Sequence, residues 1–73
     1  MGKRVIAAIR TDGTLPPLYL LGFRDDGAAW VCRWTLSRAH ARWFDAEEAE
    51  IEAKMLARHH AGWRVLSPEP VGA

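Results

Sequence analysis

Residues 28–52 read AAWVCRWTLSRAHARWFDAEEAEIE, and the charge along this stretch changes sign at one residue. From 28 to 44 there is no acid, and Arg33, Arg38, His40 and Arg42 alternate with Trp30, Trp34 and Trp43. From 45 to 52 there are five acids, Asp45, Glu47, Glu48, Glu50 and Glu52. The hydrophobic period changes at the same place. Before it, Trp30, Cys32 and Trp34 recur at every second position while Val31, Arg33 and Thr35 face the other way, the pattern of a strand. Beyond it, at about 100° per residue, Ala46, Ala49, Ala53, Leu56, Ala57 and His60 share one face, the pattern of a helix. Asp45 is the expected N-cap, with Glu48 three residues on completing a capping box. Acids crowd the first turns and Lys54, Arg58, His59 and His60 the later ones, as the helix dipole favours. Gly62 is placed to close the helix as its C′ residue. The spacing therefore predicts a helix over residues 45–61.

Working outward, residues 4–10 read as a first strand. Its centre, Val5-Ile6-Ala7-Ala8-Ile9, is a continuous apolar run of the kind covered on both faces. Thr11-Asp12-Gly13-Thr14 supplies turn chemistry, and Pro16-Pro17 delays the next strand. That strand is predicted over 18–23, and Asp-Gly at 26–27 makes a hairpin with a third strand over about 28–36. Residues 37–44 are consistent with a longer third strand or with a turn and one short strand. Residues 63–66 read as a closing strand, and Ser67-Pro68-Glu69-Pro70 ends regular structure. The expected fold class is α+β, an antiparallel sheet of about three to five strands with a single helix on one face, in the order β-β-β-α-β. Residues 1–66 form one domain, with 67–73 a mobile tail.

Size and charge bound the function. At 73 residues the chain is near the lower limit of independent folding, and its one cysteine allows no internal disulfide. Stabilisation has to come from aromatic packing or a partner, and four tryptophans suit the former. A net charge of +1 is neither the basic excess of a phosphate binder nor the acidity of a DNA mimic. No apolar run approaches the roughly 20 residues of a membrane span, and the lone cysteine without an export signal places the chain in the cytoplasm.

The residue types of catalysis are present but not arranged for it. Ser37, His40 and Asp45 lack a nucleophile elbow and oxyanion-hole glycines. Cys32, sandwiched between tryptophans, reads as an inert buried thiol. His59 and His60 point about 100° apart, and with Cys32 and His40 they form no ligand framework, so neither metal nor cofactor is expected. Glu48 and Glu52 are neighbours on a helix face, an ordinary solvated pair. The chain reads as a non-enzyme.

Binding is the better reading. Guanidinium and indole groups side by side serve phosphate contacts, base stacking and protein hot spots alike, which selects Arg33, Arg38, Arg42 and Trp43. A possible second interface is Ile51 and Met55 with Glu48 and Glu52. The first two lie roughly 120° around the helix from the alanine stripe, and the same surface suits a twofold homodimer.

The hairpin, the Trp-rich strand, the helix start Ala-Arg-Trp-Phe-Asp-Ala-Glu-Glu-Ala-Glu at 41–50 and the closing strand together resemble small phage- and prophage-encoded proteins of the anti-CRISPR kind. The resemblance is one of layout and of an Ala- and Arg-rich composition, and it carries no functional residue across, since those proteins share no common motif. It implies an inhibitor that binds a host ribonucleoprotein, a type I CRISPR effector complex, and blocks its recognition of target DNA. The alternatives are a small nucleic-acid-binding protein using the basic-aromatic patch, and a small viral structural or assembly protein.

Overall fold

The computed structural model of the chain describes residues 2–25, 27 and 30–71, and only the backbone of Asp25 and Trp30. These residues form an α+β domain. In chain order they make β1 (Lys3–Arg4), β2 (Ala7–Arg10), β3 (Leu18–Asp25), β4 (Trp30–Thr35), a 3-10 turn (Arg38–His40), β5 (Phe44–Asp45), α1 (Ala46–His59) and β6 (Trp63–Leu66). A four-stranded antiparallel sheet has the order β4-β3-β2-β6, and β1 and β5 form a short antiparallel ribbon beside it.

The first strand is where these two parts join. The sequence predicts one strand over 4–10, and the chain does run extended there, but it changes partners midway. Lys3 and Arg4 pair with Asp45 and Phe44, whereas Ala7 and Ala8 pair with Tyr19 and Leu18 on one side and with Leu66 and Val65 on the other. Between them the Leu20 N–H donates to the Ile6 carbonyl and the Val5 N–H to the Pro68 carbonyl, both at 2.9 Å. Val5, Ile6, Ala7 and Ala8 are all buried, as a continuous apolar run requires.

The 11–14 turn forms with Gly13 at φ 71°, and the Asp12 carboxylate accepts from both the N–H and the hydroxyl of Thr14. Those two hydrogen bonds hold the Asp12 carboxyl below the usual carboxylate range. In the following hairpin, β3 runs two residues beyond the predicted 18–23 and pairs with β4 out to Asp25 and Trp30. The expected Asp-Gly turn lies partly outside the described residues; Gly27 has φ 81°, a conformation that favours glycine. Leu20 pairs with Trp34 but Gly22 with Arg33, so Leu21 is the extra residue of a bulge.

Residues 37–44 resolve as a turn followed by a short strand. His40 and Ala41 donate their N–H groups to the carbonyls of Ser37 and Arg38. The Arg42 N–H then donates to the Leu20 carbonyl at 2.9 Å, which leads the chain into β5.

The helix corrects the sequence reading at both ends. Asp45 has the extended backbone of an N-cap, but its side chain makes no capping hydrogen bond. Its carboxylate instead receives Lys3 Nζ at 2.6 Å, so the capping box with Glu48 does not form. At the other end α1 stops at His59 rather than 61, with His60 as the C-cap. Gly62, at φ 87°, therefore lies one place beyond C′. Its carbonyl accepts from the Thr11 N–H and hydroxyl, tying the turn to the end of β2.

Ala49, Ala53 and Leu56 are the buried helix residues, while Ala57 is exposed. The core groups Ile6, Leu20, Phe44, Ala49 and Leu56, with Phe23, Cys32, Trp34 and Val65 packed against it. The ring of His60, the helix C-cap, meets Trp34 edge-on at 6.2 Å. Residues 67–70, set apart by the sequence as the start of a tail, lie along the domain. Pro70 is buried, and the Arg38 guanidinium donates through two nitrogens to the Glu69 carbonyl. The last two residues lie outside the described region.

Candidate partner-binding groove

Arg33, Arg38, Arg42 and Trp43 share a basic-aromatic stretch of sequence but not a surface. Arg33 is exposed on β4 opposite Gly22, on the sheet face turned away from the core. Arg38 is half-buried, with its guanidinium holding the Glu69 carbonyl, which makes it a structural residue. Arg42 is exposed with its guanidinium 5.2 Å from the centre of the Phe44 ring, a cation–π arrangement. Trp43, between them in sequence, is 47% exposed and does not line the groove between the helix and the sheet. Strand alternation and the 3-10 turn are what separate these groups.

What the fold does bring together is Arg42 with most of the second predicted interface. A groove of about 540 Å³ between the helix and the sheet is lined by Phe23, Arg42, Phe44, Glu48, Glu52 and Met55. Phe23 and Phe44 form its apolar floor, Arg42 one wall, and the helix residues Glu48, Glu52 and Met55 the other. Ile51 stands on the same helix one turn before Met55, and the two are 59% and 53% exposed. The helix forms this wall because β5 leads straight into it at Asp45, and the Lys3–Asp45 pair holds that junction to β1. The hydrogen bond and charge of Lys3 lower the Asp45 pKa, and those of Asp45 raise the pKa of Lys3.

The groove offers an aromatic floor, one guanidinium and two carboxylates. That combination suits an apolar side chain flanked by charges of either sign, as at the centre and rim of a protein interface. Cys32 lies nearby, packed against the core. Burial pushes its thiol pKa up, and the negative charge of Glu52 adds to the effect, so the sulfur is held as the neutral thiol. Among the described residues no three His, Cys, Asp or Glu side chains gather as metal ligands would, and no helix is long and apolar enough to cross a membrane. Sequence reasoning missed Phe23 and Phe44 as lining residues. Both carry only a generic core signal, and their role appears once the Arg42 N–H to Leu20 carbonyl hydrogen bond ties the segment before β5 to β3.

A smaller apolar recess of about 200 Å³, lined by Ala8, Leu18, Trp34, His60 and Trp63, opens beyond the helix C-terminus. Arg10 lies 5.5 Å from the Trp63 ring at its margin. Comparison of the chain with known protein families, with curated proteins and with solved structures finds no match.

Proposed function

We propose that this chain is a non-enzymatic binding protein that docks a protein partner in the groove between α1 and the sheet. The observation that carries the reading is the exposure of Ile51 and Met55, two large apolar side chains on a domain with little core to spare, beside a groove furnished with Arg42, Glu48 and Glu52. Leaving either in water forgoes on the order of 1.5–3 kcal/mol of burial, a sizeable share of the stability of so small a domain. Aromatic, Met and Arg side chains are the types enriched at protein interfaces, and Phe23, Phe44, Met55 and Arg42 supply all three in the groove, with exposed Trp43 next to Arg42 in sequence.

The specific form of the proposal rests on the resemblance in layout to anti-CRISPR proteins. The partner is a type I CRISPR effector complex, and the consequence of docking is loss of target DNA recognition. Arg42, Trp43, Ile51 and Met55 are the contact residues, with Glu48 and Glu52 selecting a basic rim on the partner. Arg38 leaves the contact set because its guanidinium is occupied within the fold. Co-purification of tagged chain with purified type I effector complexes, beside an Arg42→Glu, Met55→Lys variant, tests this. The proposal expects a complex with the wild type and none with the variant; absence of a complex across a panel of such effectors overturns it.

A further inference from the structure

We infer that the face of the sheet opposite the helix is a binding surface for single-stranded nucleic acid, separate from the groove. Cross-strand register defines that face. Leu66, Ala7, Tyr19 and Thr35 lie opposite one another across the four strands, so their side chains share one side. Two residues along toward the start of β3, Arg64 stands beside Ile9; in the opposite direction, past the bulge, Arg33 stands beside Gly22, with Arg24 and Val31 the next pair on the same side. The core residues Leu20, Phe23, Cys32, Trp34 and Val65 occupy the alternate positions and face α1.

The helix mixes acids with Lys54 and Arg58, whereas the described strand positions on the other side carry arginines alone among charged residues. The exposed face carries Arg24, Arg33 and Arg64, and no described strand position on it is an acid. Glu47, Glu48, Glu50 and Glu52 are on the helix, Asp45 is at its start, Asp12 is in the first turn, Glu69 lies past β6 within 3.9 Å of Arg4, and Asp25 and Asp26 follow Arg24 in sequence, with Asp25 at the alternate strand position. Neither Arg33 nor Arg64 has an ion-pair partner among the described residues. A net charge near zero thus does not describe this side, where Arg33 and Arg64 make the surface locally basic, and patches rather than totals select partners.

The occupant follows from the side chains. Half-buried Tyr19 sits on β3, an inner strand of the sheet, between buried Ala7 and half-buried Thr35, and is the aromatic residue at the described strand positions of this side. Arg33 on β4 and Arg64 on β6 lie diagonally across the sheet, about 14 Å apart across the strands and about 13 Å along them, roughly 19 Å in all, with Tyr19 between. Aromatic stacking in the middle of a sheet with guanidinium groups on either side is how proteins hold unpaired bases and their phosphates. A duplex presents no exposed base face to Tyr19, and an acidic peptide gains nothing from the ring.

The test is fluorescence anisotropy of the full chain with a labelled single-stranded oligonucleotide, a duplex of the same sequence and labelled polyglutamate, across a salt series. The expected order is single strand first, with duplex and polyglutamate at least tenfold weaker. An Arg33→Gln, Arg64→Gln variant should lose at least tenfold in affinity and flatten the log K against log salt slope by about 1.4, at roughly 0.7 per phosphate contact. The charge-matched control Lys54→Gln, Arg58→Gln should bind like wild type. Tyr19→Phe should retain binding and Tyr19→Leu lose it, with circular dichroism confirming that each variant folds. No binding of the single strand at low salt, equal binding of polyglutamate, or equal loss in the charge-matched control overturns the inference. An Ile51→Glu, Met55→Lys variant that still binds the oligonucleotide keeps this surface distinct from the groove.

Discussion

Lys3 and Asp45, 42 positions apart in the chain, meet at 2.6 Å where β1 pairs with β5 at the start of α1. The contact fastens the N-terminus to the helix start and takes the carboxylate that would otherwise cap it. Because both groups are exposed, its value lies in local geometry rather than in global stability.

The pair makes a pH prediction with a definite sign. Lys3 lowers the folded-state pKa of Asp45, so Asp45 contributes stability above its unfolded pKa of about 3.9, and the contribution is lost as pH falls through the lower folded value. Asp45 raises the pKa of Lys3, whose contribution is complete below about 10.4 and lost as pH rises through the higher folded value. The β1–β5 ribbon should therefore be best held between those limits. An NMR titration of the Asp45 carboxyl in wild type and Lys3→Met should show the midpoint rising in the variant. Identical midpoints contradict the pairing.

Leu20 is fully buried at the meeting of β3, the first strand and the segment before β5. Leu20→Ala should cost about 2–5 kcal/mol, through lost burial and the cavity left behind. Urea denaturation measures it. Ala57→Ser, on the exposed part of the helix, should change stability by no more than about 0.5 kcal/mol.

Arg38 donates to the Glu69 carbonyl, and one residue earlier the Pro68 carbonyl accepts from the Val5 N–H. Arg38→Ala should loosen the terminal segment and speed hydrogen exchange at the Val5 amide, while exchange at the Leu20 amide is unchanged. Unaltered exchange at Val5 would falsify the anchoring role.

Ile51→Glu, Met55→Lys replaces two exposed side chains and should leave the unfolding midpoint close to wild type. Partner capture should be abolished. Light scattering of wild type and variant tells whether the occupant is a second copy: a wild type that stays monomeric at high concentration assigns the surface to a foreign partner.

Local patterns in the sequence were enough for the hairpin, the helix face and the closing strand over 63–66, because each depends on neighbours a few positions away. The helix end, at His59 rather than 61, is a local misjudgement of two residues; the other errors involve distant partners. Asp45 carries a capping pattern, but Lys3 reaches it from the other end of the chain. Arg33, Arg38 and Arg42 are close in sequence, yet pleating sends the first to the far face, the 3-10 turn directs the second to Glu69, and only the third reaches the groove. The pairing of Met55 with Arg42 and Phe23 depends on where β3 and β5 sit against the helix. The grouping of Arg64 with Arg33 depends on strand order, which no local pattern encodes.

The most direct test of the groove as an inhibitory docking site is target DNA binding by a purified type I effector complex, measured by gel shift with and without this chain. The account predicts that wild type abolishes the shifted DNA band. It predicts that Arg42→Glu, Met55→Lys, folded by circular dichroism, leaves the band intact. An unchanged band with wild type, or equal inhibition by the variant, contradicts it.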